Sequence, residues 1–111
     1  MKVKLYRSDR GRSPVEEFID GLPKRDQARF LGALLGIEAE GFQCAGVGFR
    51  KLHGKLWEMK LRTEGGAYRI AYVVVPGGLM VWLHAFKKKT QKTDLNDLRL
   101  AERRMKEVLN A

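Results

Sequence analysis

Apolar and polar positions along the chain change period several times, and each change predicts an element. Val3 and Leu5 alternate with Lys2, Lys4 and Tyr6, which predicts a short strand. Ser13-Pro14-Val15-Glu16 then marks a helix start: a capping hydroxyl, a proline suited to the first helical position, and a glutamate three residues after the cap. Gly21 and Pro23 interrupt that helix, and Pro23 opens a second one running to about Gly41. Its expected buried stripe is Ala28, Leu31, Leu34, Leu35 and Ala39. Gly32 and Gly36 lie inside it, where each costs about 1 kcal/mol relative to Ala, so close packing against a neighbour is expected there.

From Gly46 onward the period is two. Trp57, Met59 and Leu61 alternate with Glu58, Lys60 and Arg62. Tyr68, Ile70, Tyr72 and Val74 alternate with Arg69, Ala71, Val73 and Val75, and Leu79, Val81, Leu83 and Ala85 with Met80, Trp82, His84 and Phe86. Tight turns at Thr63–Gly66 and Pro76–Gly78 join these runs into an antiparallel meander. A last helix begins at Thr93 or Asp94 and carries the stripe Leu98, Ala101, Met105 and Val108/Leu109. The expected fold class is α+β: a small antiparallel sheet of the N-terminal strand plus the three-stranded meander, two N-terminal helices packed on one face, and a C-terminal helix. Residues 1–111 are expected to form one domain.

Composition narrows the function classes. Hydrophobic residues make up 44% and charged residues 32% of the chain, a globular balance that argues against wholesale disorder. No stretch approaches the roughly 20 apolar residues of a membrane span, and the first residues lack the apolar core of a signal peptide. With one cysteine, Cys44, no internal disulfide can form, and one Cys with two His falls short of a structural zinc site. A cytoplasmic protein without metal or other cofactor is expected. The charge changes the picture more. The net is +9, and Val47–Thr93 alone holds ten basic residues against Glu58 and Glu64, a net of +8. Such a concentrated field implies an anionic partner, nucleic acid or an acidic protein.

Period two also says where that charge sits. If Trp57, Met59 and Leu61 face the core along with Tyr68 and Ile70, then Lys60, Arg62 and Arg69 share the other face of adjacent strands. Like charges about 5 Å apart repel, so the cluster calls for a ligand that offsets it. The run Lys87-Lys88-Lys89 follows directly and borders the same surface. Each residue also has a plainer role open to it. Arg69 could form an ion pair with Glu58, the lysine run could guard a sheet edge, and His84 could be hydrogen-bonded within the fold. Trp57 and Trp82 are expected in the core, His53 exposed before its turn, and Cys44 without a nucleophilic role.

Four pieces of the chain carry a resemblance: Phe49-Arg50-Lys51-Leu52, Leu56-Trp57-Glu58-Met59-Lys60, Tyr68-Arg69-Ile70-Ala71-Tyr72, and His84-Ala85-Phe86-Lys87-Lys88-Lys89-Thr90-Gln91-Lys92-Thr93. In order and spacing they resemble the phage-derived HigB branch of the RelE/ParE toxin superfamily. The resemblance implies a RelE-like fold, toxin activity by cleavage of mRNA on the ribosome, and a HigA-like helix-turn-helix antitoxin as partner. It implies a free toxin that is monomeric. It puts the catalytic positions on Lys60, Arg69 and Lys88, with Arg62, Lys87, Lys89, Lys92 and Lys55 as RNA-binding cations and Glu58 and His84 as possible auxiliaries. Two departures stand out: Glu58 occupies a position that is basic in RelE, and no tyrosine follows Tyr72 to stack on a base.

The chemistry fits those residue types. RNA can be cut without metal by attack of its 2′-OH on the adjacent phosphate, given a base, a charge to stabilise the transition state and a proton for the leaving 5′-oxygen. An arginine forks onto phosphate. A lysine near 10.4 is a poor base at pH 7 unless neighbouring cations lower its pKa. Two other classes remain open: a ParE-like toxin that acts on DNA gyrase without cleaving RNA, and a non-catalytic RNA- or ribosome-binding module.

Overall fold

The computed structural model describes residues 1–110. Its elements are β1 (Lys2–Leu5), α1 (Pro14–Asp20), α2 (Lys24–Glu40), a single 3-10 turn (Gly41–Gln43), β2 (Val47–His53), β3 (Leu56–Thr63), β4 (Gly66–Val75), β5 (Leu79–Lys87) and α3 (Leu95–Leu109). The five strands form one mixed sheet in the order β1-β5-β4-β3-β2. Strands β2 to β5 form an antiparallel meander, whereas β1 lies parallel to β5. The fold is therefore α+β as expected, with two corrections to the sheet. Val47–His53 is an additional strand, and the parallel pairing of β1 makes the sheet mixed rather than antiparallel. The apolar pattern of Val47–His53 does not mark β2. Its alternation is weak and breaks at a register shift between Lys51 and His53.

Local chemistry explains the boundaries. The Ser13 hydroxyl accepts a hydrogen bond from the Glu16 backbone N–H and Pro14 begins α1. The Asp94 carboxylate accepts from the Asn96 N–H at the start of α3. Gly41 ends α2 at φ +62°, a conformation that favours glycine, and Gly77 and Gly78 take φ of +92° and +74° in the β4–β5 turn.

Both sheet faces carry a core. α1 and α2 cover one face, where Phe30, Ala33 and Ile37 pack on Met59, Leu61, Tyr68, Ile70, Tyr72, Met80 and Trp82. Helix α3 covers part of the other, through Ala101, Leu98, Met105 and Val108 on Leu56, Ala71, Val73, Val81 and Leu83. These contacts lie toward one end of the sheet. Beyond them, around the β3–β4 hairpin, the same face is free of helix and is bordered by the 88–94 loop that leads from β5 back to α3.

The α2 stripe is also corrected. Its inward residues are Phe30, Ala33 and Ile37, with Leu34 at the margin, while Leu31 and Leu35 are 58% and 56% exposed. The helix has two apolar stripes on opposite sides, and pattern alone cannot choose between them. The bulkier one, carrying Phe30 and Ile37, wins the core because it buries more apolar area. The glycines divide likewise. A Cβ on Gly36 would come within 2.7 Å of Cys44 Sγ, whereas one on Gly32 would meet nothing within 4 Å.

This assignment predicts opposite costs along one helix. Phe30→Ala should lose about 3–5 kcal/mol in urea unfolding, and Leu35→Ala should change stability by less than about 1 kcal/mol.

Candidate functional site

Strand register brings the site together. Gly48, Lys60, Arg69 and Phe86 form one row across β2, β3, β4 and β5. Arg62 lies opposite Ala67, and the Lys88 N–H donates to the Ala67 carbonyl, so Arg62 and Lys88 flank Ala67 in the next row. All of these side chains take the parity of the α3-covered face, in the part α3 leaves bare. Gly48 and Ala67 contribute almost no bulk, which keeps the ground around Lys60 low.

Lys60 and Lys88 meet there. The Lys60 amine is pulled down from 10.5 to about 8, first by its hydrogen bond with the Lys88 side chain, then by partial desolvation, then by the charges of Lys88, Arg62 and Arg69. Beside it lies a cavity of about 240 Å³ lined by Gly48, Phe49, Arg50, Glu58, Lys60, Arg69 and Gln91. A base with a pKa near 8, beside cations that can hold an anion, is the chemical content of this site.

Arg69 shares the face but not the exposure. It is 3% exposed. Its guanidinium donates to the carbonyls of Thr90 (2.8 Å) and Gln91 (2.6 Å) and to the Thr93 hydroxyl (3.3 Å), and its Nε lies 3.4 Å from Glu58 Oε1. Glu58 is buried beside it. It accepts from Arg50 (2.8 Å) on one oxygen and from the Thr93 hydroxyl (2.7 Å) on the other. The ion pair weighed as the plainer role of Arg69 is thus present, and it ties the 88–93 loop to the sheet. Glu58, considered as an auxiliary base, has both oxygens engaged.

The remaining expected cations separate. Lys87 pairs with Tyr68 and lies toward the α1–α2 face, beside Phe18, Leu22 and Asp26, away from Lys88. The reason is a bulge in β5. Ala71 pairs with His84 and Tyr72 with Trp82, so Leu83 is an extra residue and the alternation inverts after it. Lys89 is exposed on the loop. Lys92 lies with Arg50, Lys51 and Thr93 around a neighbouring hollow of about 410 Å³. Lys55 stands in the β2–β3 turn, five residues from Lys60 along the strand and so roughly 16 Å away. His84 is held on α3, its Nε2 2.7 Å from Asp97 Oδ1 and its Nδ1 3.4 Å from Arg104, with Phe86 stacked at 5.0 Å. Burial lowers its pKa, so the neutral ring is favoured. Trp82 is in the core as expected, but Trp57 is 37% exposed.

Sequence reasoning missed Arg50, Gln91, Gly48 and Thr93. Arg50 and Gly48 belong to the unrecognised β2, and Arg50, Gln91 and Thr93 entered the sequence reading only within the pieces that carry the resemblance and, for Thr93, as a helix start, without a role in the site. The Arg50–Glu58 register, had β2 been seen, would have exposed the pair.

Residues 17–106 match the model of the family described as Phage derived protein Gp49-like (DUF891). The chain belongs to this family. Gp49-like proteins fall among the RelE-like, toxin–antitoxin-associated proteins, which makes the chain a toxin-family member with an antitoxin as the associated kind of partner. The match takes in every residue of the lysine site. No curated protein sequence matches the chain. Among the described residues of this Gp49-like chain, no helix is long and apolar enough to cross a membrane.

Two predictions follow from the electrostatics. Because the folded-state pKa of Lys60 lies below its unfolded value, folding expels a proton, and stability rises as pH climbs from about 8 to 10.5. Lys60→Met should therefore raise the thermal midpoint at pH 7, with the gain vanishing across that window. Arg69→Ala strands a buried Glu58 and should lose about 3–5 kcal/mol in denaturant unfolding, with faster proteolysis of the 88–93 loop.

Proposed function

We propose that this Gp49-like chain is the toxin of a type II toxin–antitoxin pair, of the HigB kind. In this reading it is a metal-independent endoribonuclease that cuts mRNA on the ribosome, in the cytoplasm, and its partner is a HigA-like helix-turn-helix antitoxin. The observation that carries the reading is the Lys60–Lys88 pair: a lysine among cations, on a bare strip of sheet, its pKa lowered to about 8 so that the neutral amine is within reach near neutral pH.

The roles follow from that geometry. Neutral Lys60 takes the proton of the ribose 2′-OH as its oxygen attacks phosphorus. Lys88 and Arg62 stabilise the charge on the phosphate oxygens. The P–O5′ bond breaks, the 5′-oxygen takes a proton from a nearby ammonium, and the products are a 2′,3′-cyclic phosphate and a 5′-OH. DNA has no 2′-OH and would not be cut. Arg69 and Glu58 act from beneath, by fixing the loop that presents Lys88. Lys89 and Lys92 extend the phosphate-binding track along that loop. A non-cleaving ribosome-binding module is the second reading. It draws support from Arg69, whose guanidinium is engaged by the protein's own loop and by Glu58 rather than by an open phosphate site.

The test is induction of the chain in cells with mapping of mRNA 5′ ends. Codon-phased cuts are expected, and intact mRNA with ribosome association would favour the second reading. With purified components, cleavage should rise about tenfold per pH unit below 8 and level off above it, as the neutral amine accumulates. Lys60→Ala should reduce the rate about 10²–10⁴-fold while the chain stays folded. Full activity in that variant would remove Lys60 from the mechanism.

A further inference from the structure

A second concave surface lies at the other end of the sheet, near the β2–β3 and β4–β5 turns. It is a cavity of about 850 Å³ lined by Phe42, Phe49, Trp57, Tyr72, Val74 and Leu109. Three of those rings form one cluster, with Phe42 and Phe49 at 5.0 Å and Phe49 and Tyr72 at 6.1 Å between centroids. Large apolar residues remain exposed around it: Phe42 at 50%, with Trp57, Val74 and Leu109 each at nearly 40%. Isolated exposed apolar residues are ordinary, but four gathered on one hollow mark a binding surface.

Its floor holds a second anomaly. The Tyr72 hydroxyl is buried and has no hydrogen-bond partner among the described residues. A buried hydroxyl left unpaired is costly and is retained where a ligand can satisfy it. The charged group in the lining is Lys55, and no acidic side chain lines the hollow. The rim therefore carries a cation, and the interior is apolar and aromatic.

We propose that this hollow is the docking site for the antitoxin, through an acidic amphipathic segment. Its apolar anchors seat against Phe42, Trp57 and Val74, one polar group meets the Tyr72 hydroxyl, and a carboxylate faces Lys55. The inference rests on the toxin–antitoxin reading above and adds where the partner holds on. Charge complementarity selects the occupant, since the chain carries +9 and its rim here carries a cation. Apolar anchors in a groove with flanking charges are how an amphipathic helix is recognised. A second copy is disfavoured because it brings another +9. Its exposed Leu31 and Leu35 could enter the groove only head to tail, a contact that does not close. Lys60 and Lys88 lie toward the opposite end of the sheet, so the anchor site and the proposed cutting site are separate surfaces.

The experiment is calorimetric titration of the purified chain with the purified product of the reading frame adjacent to its gene. Val74→Lys and Phe42→Asp, at exposed positions, should weaken binding about 30-fold or more while the thermal midpoint stays within a few degrees. Tyr72→Phe should weaken it about tenfold without lowering the stability of the free chain. Lys60→Ala should bind like the parent, and complex formation should shift Trp57 emission to the blue. If the parent chain does not bind the neighbouring product, the toxin–antitoxin reading falls and the docking site with it. If the parent binds and the groove variants bind equally well, only the docking site falls. A larger loss in Lys60→Ala would move the partner onto the lysine face. Concentration-dependent self-association abolished by Val74→Lys would make the occupant a second copy and overturn the assignment.

Discussion

One buried ion pair organises the sheet face that carries Lys60 and Lys88. Arg69 and Glu58 sit on adjacent strands, both sequestered from solvent, and neither is satisfied by the other alone. The remaining donors of Arg69 and the remaining acceptor of Glu58 converge on three residues of a loop, Thr90, Gln91 and Thr93. A buried charge is tolerated only when its hydrogen-bonding capacity is met. The loop is therefore drawn down to the sheet, and Lys88, at its root, is set beside Lys60. The perturbed lysine and the buried arginine belong to one arrangement. One acts at the surface, and the other holds the surface in shape.

The two ends of the sheet divide the work by chemistry. Near the β3–β4 hairpin the exposed groups are cations over small residues, suited to a phosphate backbone. Near the other two turns they are aromatic and aliphatic, suited to apolar anchors of a protein. Trp57, Tyr72 and Val74 take the parity of the α1–α2 face and Lys60 and Arg62 that of the α3 face, so the sheet itself lies between the two surfaces. Membership of the Gp49-like family, which is toxin–antitoxin-associated, gives the proposed division a biological frame.

Much of this was legible in the residues alone. Period-two runs with glycine turns specify β3, β4 and β5, capping residues specify the starts of α1 and α3, and parity places Lys60, Arg62 and Arg69 on one face. These are local properties, set by backbone geometry and by the alternation of side chains, so a single chain reveals them. The family resemblance likewise rested on residues that the Gp49-like match now spans. What tertiary structure decided is different in kind. It chose which of two apolar stripes of α2 to bury, a comparison of areas that needs the sheet in place. It recruited Val47–His53 as an edge strand, paired β1 parallel to β5, and sealed Arg69 under a loop by hydrogen bonds between residues 21 to 24 positions apart. It also inserted Leu83 as a bulge, which turned Lys87 away and brought Lys88 toward Lys60. Alternation in sequence is blind to one extra residue in a ladder, since only the partner strand reveals that the count has slipped.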